Sequence, residues 1–189
     1  FVTNNYNDTK FCGFDVNIYK SPVITYECGV SLTCSFDGNT MRVTGEGEMY
    51  NYYSNKLPPW YSLSNTIEKV ELPEALTAIG SCSFYNFTQL TDITIPSNVE
   101  TIKSSAFCRC RSLISITIPS KVTIIYVYLF RHCNSLQSVE ILGELTEIGS
   151  YAFDSCPSLI SFKIQQTVTN IGEFAFYQCA SLSSFEFLG

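Results

Sequence analysis

The chain has 189 residues, 46% of them hydrophobic and 15% charged, a balance that supplies a large core and excludes disorder by composition. A formal net charge of -6, with eleven scattered Lys and Arg residues, excludes the clustered basic surface that nucleic-acid phosphates require. No apolar run approaches the roughly 20 residues of a membrane helix, so no span lies within this stretch.

The opening FVTNNYNDTK has no initiator Met and none of the basic and apolar regions of a signal peptide. Phe1 therefore reads as a processed or engineered start, and the chain as a truncated ectodomain. Phe14, Val16 and Ile18 alternate with other residues, and Val23, Ile24 and Tyr26 after Pro22 form another candidate strand. In CGVSLTCSFDGNTMRVTGEGEMYNY, Leu32, Cys34 and Phe36 alternate, Asp37-Gly38-Asn39 supplies a turn, and Met41 and Val43 resume the alternation. That pattern predicts a β-hairpin. Gly45 and Gly47 predict a bulged strand rather than a phosphate loop, since no Lys-Ser, Lys-Thr or helix signal succeeds them. Glu46 and Glu48 have the spacing of paired carboxylates on one strand face, but nothing catalytic accompanies them, and they read as solvated charges. Lys56-Leu57-Pro58-Pro59-Trp60-Tyr61 then breaks the strand pattern, and Trp60, the sole Trp, suits a plug over the open end of a repeat array. Residues 1–62 are expected to form a β-rich capping region and 63–189 that array.

The array declares itself by period. IGSCSFYNFTQL, IKSSAFCRCRSL, IYVYLFRHCNSL, IGSYAFDSCPSL and IGEFAFYQCASL open at Ile79, Ile102, Ile125, Ile148 and Ile171, each 23 residues after the last. About five such repeats predict a solenoid. Read in columns, Phe84, Phe107, Phe130, Phe153 and Phe176 form one apolar spine, Leu90, Leu113, Leu136, Leu159 and Leu182 a second, and the five opening Ile residues a third. Downstream, KVELP, DITIP, SITIP, SVEIL, SFKIQ and SFEFL alternate. Val70, Ile93, Ile116, Val139, Phe162 and Phe185 point inward with Leu72, Ile95, Ile118, Ile141, Ile164 and Phe187. Six such rungs predict one parallel sheet roughly 24 Å long at a spacing of about 4.8 Å. Each IGxxAF segment is predicted to return the chain through a single helical turn, with Gly80, Gly149 and Gly172 marking a permissive backbone or a close approach. Lys103 and Tyr126 break the glycine column, and the third copy also carries Leu129 where the others have a small residue, so local distortion is expected there.

Copies such as IGSYAFDSCPSLISFKI and IGEFAFYQCASLSSFEF resemble the 23-residue units of BspA-like, or treponemal-type, leucine-rich-repeat proteins. The hairpin stretch followed by PPWY resembles the β-rich segment preceding the array in many members. The resemblance covers about residues 28 to 189. It departs from the pattern in the third copy and at Leu142-Gly143, where Pro-Ser is typical, and residues 1–27 have no match. It implies a leucine-rich-repeat solenoid, α/β in class, with a parallel β-sheet on one face, short helical turns on the other and an N-terminal β-rich cap. Members are typically exposed on bacteria and mucosal protist parasites, and several are adhesins, which implies a cell-surface or secreted adhesin or antigen binding host matrix or neighbouring cells.

Of nine cysteines, Cys110, Cys133, Cys156 and Cys179 share one column, which Phe87 holds in the first copy. Residues stacked in a line at about 4.8 Å are too far apart for disulfides and cannot cage zinc, so buried free thiols are expected. Cys108 falls in a different column with Tyr85, Arg131, Asp154 and Tyr177, read as exposed, and should react with a thiol reagent well before Cys110. Cys12, Cys28 and Cys34 leave room for one bridge of undetermined pairing. His132, the only histidine, shares a column with Asn86, Arg109, Ser155 and Gln178 and faces solvent on the return side. No catalytic residue, metal site or cofactor is expected. Asn7-Asp8-Thr9 and Asn86-Phe87-Thr88 match the glycosylation signal at Asn7 and Asn86.

The candidate ligand surface is the outward strand face. It comprises Asp92, Ser115, Ser138, Ser161 and Ser184 with Thr94, Thr117, Glu140, Lys163 and Glu186, preceded by Lys69 and Glu71. A broad, shallow polar strip suits a protein or glycan ligand better than a small molecule. A non-enzymatic recognition module is the leading reading. The competing one is an intracellular or structural scaffold mediating protein–protein interaction, for which reduced cysteines and absent carbohydrate would speak.

Overall fold

The computed structural model of the protein describes residues 8–11, 14–17 and 23–188. β1 (Asp8–Phe11) and β2 (Phe14–Asn17) pair antiparallel, from Asp8↔Asn17 to Phe11↔Phe14. β3 (Ile24–Asp37) and β4 (Thr40–Met49) form the hairpin expected around Asp37-Gly38-Asn39. Its register shifts between Gly29 and Ser31, and the two-stranded ribbon folds sharply there. The Cα atoms of Cys28 and Cys34 are 6.0 Å apart, whereas six residues of flat strand span roughly 20 Å, and a buried disulfide joins the two. Gly45 lies inside the bend with φ +108°, where an added Cβ would strike the Ser31 carbonyl. Only glycine satisfies both conditions at once. Cys12, the third candidate for the bridge, lies outside the described residues, as do Asn7 and Ile18.

The bend allows one strand to close both sides of the array. Before it, Thr40–Arg42 of β4 pairs parallel with β5 (Lys69–Glu71). After it, Gly47 and Glu48 pair with β6 (Leu76–Ile79). Inside this cover Trp60 is fully buried between Phe36, at 6.2 Å, and Tyr52, at 5.3 Å, and its Nε1–H donates to the Ser83 carbonyl at 2.9 Å. The indole thus fills the end of the solenoid and ties cap to array through one polar atom.

Along the array, long rungs lie on one face and two-residue rungs on another. The long ones are β8 (Ser115–Ile118), β10 (Ser138–Ile141), β12 (Ser161–Gln165) and β14 (Ser184–Leu188). The expected continuous sheet is not formed: β8 pairs with β10 and β12 with β14, while β10 and β12 do not pair. Residues 92–95 join no ladder, although Ile93 and Ile95 are buried. The short rungs are β7 (Thr101–Ile102), β9 (Ile124–Ile125), β11 (Glu147–Ile148) and β13 (Asn170–Ile171). They run parallel as β6–β7 and β9–β11–β13. This second set of ladders escapes sequence reading because two residues per turn carry no alternation.

Between the faces stand the predicted spines. Phe84, Phe107, Phe130 and Phe153 are fully buried, and Phe130 stacks on Phe107 at 5.8 Å and on Phe153 at 5.3 Å. Leu90, Leu113, Leu136 and Leu159 are likewise fully buried. Each such side chain contributes roughly 1.5–3 kcal/mol by leaving water.

The return side corrects the expectation of helical turns, since no helix occurs in it between residues 79 and 188. Two residues per turn are left-handed: Cys82 and Asn86, Ser105 and Arg109, Tyr128 and His132, Tyr151 and Ser155, Phe174 and Gln178, with φ from +56° to +66°. A right-handed helix cannot run through such positions. Their amides are aimed along the solenoid instead. Ser105 N–H donates to Val127 O (3.2 Å), Phe107 N–H to Leu129 O (3.1 Å) and Arg109 N–H to Arg131 O (2.7 Å). The same three bonds recur one turn on, from Tyr128, Phe130 and His132. Cross-turn bonding offsets a left-handed penalty of about 1–2 kcal/mol per residue. The third copy keeps this geometry, with φ +61° at Tyr128, +60° at His132 and Leu129 fully buried, so the distortion expected there is absent.

The cysteine column is occupied by free thiols. Each Sγ donates to a Phe carbonyl of the preceding turn: Cys110 to Phe84 and Cys133 to Phe107 at 3.2 Å, Cys156 to Phe130 and Cys179 to Phe153 at 3.1 Å. In these four copies a small apolar side chain with a weak donor fills a position that the fully buried Phe87 fills in the first. Cys108, expected to be exposed, is only 5% accessible. Its column mixes long with short residues, and the short ones, Cys108 and Asp154, lie sunk among them beside Arg109 and Arg131. Burial pushes its thiol from the ordinary 9.0 up to about 12, and raises Cys110 and Cys133 as well.

These shifts predict alkaline lability. Unfolded thiols lose protons near pH 9 while the buried ones retain them, so alkali favours the unfolded chain. Stability is expected to be fully present below pH 9 and to fall as pH rises from there through about 12 for Cys108. Urea titrations at pH 8 and 10 check the direction, and a flat profile would contradict it. At neutral pH, Cys108 and Cys110 are both expected to resist a thiol reagent until the chain unfolds.

Candidate functional site

On the strand face, alternation turns every candidate ligand residue outward. Asp92, Thr94, Ser115, Thr117, Ser138, Glu140, Lys163, Ser184 and Glu186 are exposed, and Ser161 is half-buried. Neighbouring turns link them: Thr117 Oγ1 donates to Glu140 Oε2 at 3.1 Å, and Lys163 Nζ lies 3.4 Å from Glu186. At the cap end, Lys69 and Arg42 approach Glu71 at 2.7 and 2.6 Å and hold its carboxyl below the usual range, Lys69 having the larger influence. Such solvated pairs position charges more than they stabilise.

This face is interrupted a second time, beyond the unpaired rung at residues 92–95. Where β10 and β12 part, a hollow of about 400 Å³ opens, lined by Ser138, Val139, Glu140, Ile141, Ser161, Lys163 and Gln165. Gln165 clips its far end, donating from Nε2 to Gly143 O (2.6 Å) and accepting at Oε1 from Leu145 N–H (2.7 Å). The alternation of SVEI and SFKI gives no sign of the break. The unusual Leu142-Gly143 does mark the loop where Gln165 substitutes for backbone pairing.

The other candidates are scattered. Glu46 and Glu48 are exposed on the rim of a hollow of about 640 Å³ at the cap bend, with Val30, Gly47 and Tyr50, and Glu48 lies 3.6 Å from Lys103. On the return side, Arg131 binds the buried Asp154 at 2.7 Å, and its guanidinium lies over Tyr128 and Tyr151. His132 is half-buried beside it, its pKa lowered by burial and then by Arg131. Asn86 Nδ2 donates to Asn65 Oδ1 at 3.2 Å, and Thr88 Oγ1 donates to the same oxygen at 3.1 Å, so both ends of that glycosylation signal meet one acceptor. Among the described residues no three His, Cys, Asp or Glu side chains gather to hold a metal, and no helix is long and apolar enough to cross a membrane.

A family model described as BspA type Leucine rich repeat region, in six copies, matches residues 60–187. The chain belongs to the BspA-type leucine-rich-repeat family. For this BspA-type chain the match starts at Trp60, which lies 23 residues ahead of the Ser83 it bonds, and takes in the turn that carries β5. No curated protein matches it. Among solved structures it is similar to a leucine rich cell surface protein from Faecalibacterium prausnitzii A2-165, at 24% identity and a TM-score of 0.59. That likeness covers 87% of this chain and 54% of the other, so the chain spans about half that protein's length. It is also similar to a leucine rich repeat protein of T. pallidum, at 24% identity and a TM-score of 0.44, over 78% of this chain and 63% of that one. Leucine-rich repeats stack into extended surfaces of the kind that bind proteins, and the BspA-type chain presents such a surface.

Proposed function

We propose that the BspA-type chain is a non-enzymatic cell-surface adhesin or antigen that binds a protein or glycan on host matrix or on neighbouring cells through its strand face. The observation that carries this reading is the set of exposed polar columns running across the long rungs, linked between turns at Thr117–Glu140 and Lys163–Glu186. The buried Cys28–Cys34 bridge supports an oxidising compartment. Free cysteines do not favour the intracellular scaffold, because among the described residues five of the six are buried and inert in either compartment.

The test is an unbiased pull-down from matrix and cell-surface extracts, run in parallel with a Thr117→Arg, Glu140→Arg variant. Both side chains are exposed, so the variant is expected to keep its fold while losing captured partner by about tenfold or more. Undiminished capture would mean that the strand face is the wrong surface.

A further inference from the structure

We propose that the return side of the second and third copies binds a sulfated polysaccharide through Arg109, Arg111 and Arg131. This surface lies apart from the strand face, and the inference does not rest on that reading. Cationic residues are scattered along the sequence, but three of the four Arg residues fall on two successive turns and fold into one patch. Arg109 N–H donates to Arg131 O at 2.7 Å, and Ser135 N–H donates to Arg111 O at 3.1 Å, so the backbones that carry the arginines are bonded turn to turn. Arg109 and His132 occupy one column, a single rung of roughly 4.8 Å apart, and both are left-handed, with φ +66° and +60°. The pKa of His132 is lowered by burial first and then by Arg131, with Arg109 and Arg111 adding to the effect and Asp154 opposing it. One imidazole therefore lies in the field of all three guanidiniums, and being neutral at pH 7 it adds a hydrogen-bonding group and no charge.

The patch is cationic in an acidic chain. The three columns that carry the arginines run through Tyr85, Asn86 and Thr88 in the first copy, and Asp154 is their only acidic residue. Asp154 lies beneath Arg131, its side chain 4% accessible against 38%, and accepts from Nε at 2.7 Å, so an approaching ligand meets the guanidinium and not the carboxylate. Arg109 and Arg111 are exposed, and among the described residues neither forms an ion pair. Aromatic rings hold two of the guanidiniums in place, Arg109 over Tyr85 at 5.9 Å and Arg131 over Tyr128 at 5.2 Å and Tyr151 at 5.8 Å. Held in this way, they lose less freedom when a ligand binds. Forked donors of this kind select an oxyanion. None of the seven Lys residues lies in these columns. Guanidinium is the more weakly hydrated of the two cations, and it pairs best with a weakly hydrated anion, as a sulfate monoester is and a carboxylate is not. The arginines span only two turns, a width that suits a single linear chain. A duplex or an anionic membrane would extend past them across a chain of net charge -6.

The probe is heparin, with chemically desulfated heparin, which keeps its carboxylates, as control. Binding is measured on the full chain at pH 7 and about 0.1 M salt, where charges more than about 10 Å from the ligand are screened. The chain is expected to bind heparin, and to bind the desulfated form about tenfold more weakly or less. Arg109→Gln with Arg111→Gln should also weaken heparin binding about tenfold, with the urea midpoint unchanged because both side chains are exposed. Lys56→Gln with Lys121→Gln removes the same charge from exposed positions outside the patch and should change binding by less than about twofold. No binding of heparin, equal binding of the desulfated form, or equal losses in the two double variants would each overturn the proposal. Binding of single-stranded DNA or of phosphatidylserine vesicles as tight as that of heparin would overturn it too, by showing a site for phosphate or for any polyanion. The desulfated control is read on the unaltered chain, so the sulfate requirement is tested even if a variant misfolds.

Discussion

Phe130→Ala is expected to lower the free energy of unfolding by about 3–5 kcal/mol, the range for deleting a buried aromatic ring. The ring has no exposure and stacks on a Phe in the turn on either side. Its removal therefore breaks one column at two interfaces. In a solenoid each turn is stabilised mainly by its neighbours, so the loss is concentrated at the junction of the second, third and fourth copies. Urea unfolding should show a lower midpoint and a shallower transition as the two halves uncouple. A loss below about 1 kcal/mol would mean that the spine relaxes around the gap and that the rings are not the axis of the fold.

Trp60→Ala should cost a similar amount, about 3–5 kcal/mol, but its effect should be distributed differently. It empties the cluster formed with Phe36 and Tyr52 and leaves the Ser83 carbonyl without its donor. The cap and the first turn should then open before the rest, visible as faster amide exchange in β4, β5 and β6, with β11 and β13 little changed. Trp60→Phe separates packing from hydrogen bonding. It should retain most of the stability and lose about 1 kcal/mol for the indole donor. Uniform loosening along the array in the Ala variant would show that Trp60 is an ordinary core residue and not an end plug.

Much of this architecture can be read from the 23-residue period, because stacking converts a column of identical side chains into a physical object. The Ile, Phe and Leu spines and the thiol ladder all derive from it. Features that depend on backbone conformation do not. Arg109, His132 and Tyr151 adopt left-handed φ values with no glycine to signal them, held by amide bonds to the next turn. A disulfide between residues six apart is excluded for a straight strand, and only the fold in the ribbon at Gly29 and Gly45 brings Cys28 to Cys34. The column of Cys108 reads as exposed because Arg and Tyr share it, but a short side chain among long ones is covered by them. On the strand face, alternation alone names the ten ligand candidates, while the split among them depends on a missing ladder that SVEI and SFKI do not encode.

The one-way donation on the return side has an electrical consequence. Peptide dipoles in adjacent strands largely cancel, but here three amides per turn point toward the C-terminal end and their acceptors toward the cap, so these dipoles add along the solenoid axis. The array has a vectorial polarity independent of its side chains. At the turn opening at Ile171, the amides of Phe174, Phe176 and Gln178 occupy the donor positions of this series. Within the array each turn thus presents its carbonyl oxygens to the turn before it and its amides to the turn after it.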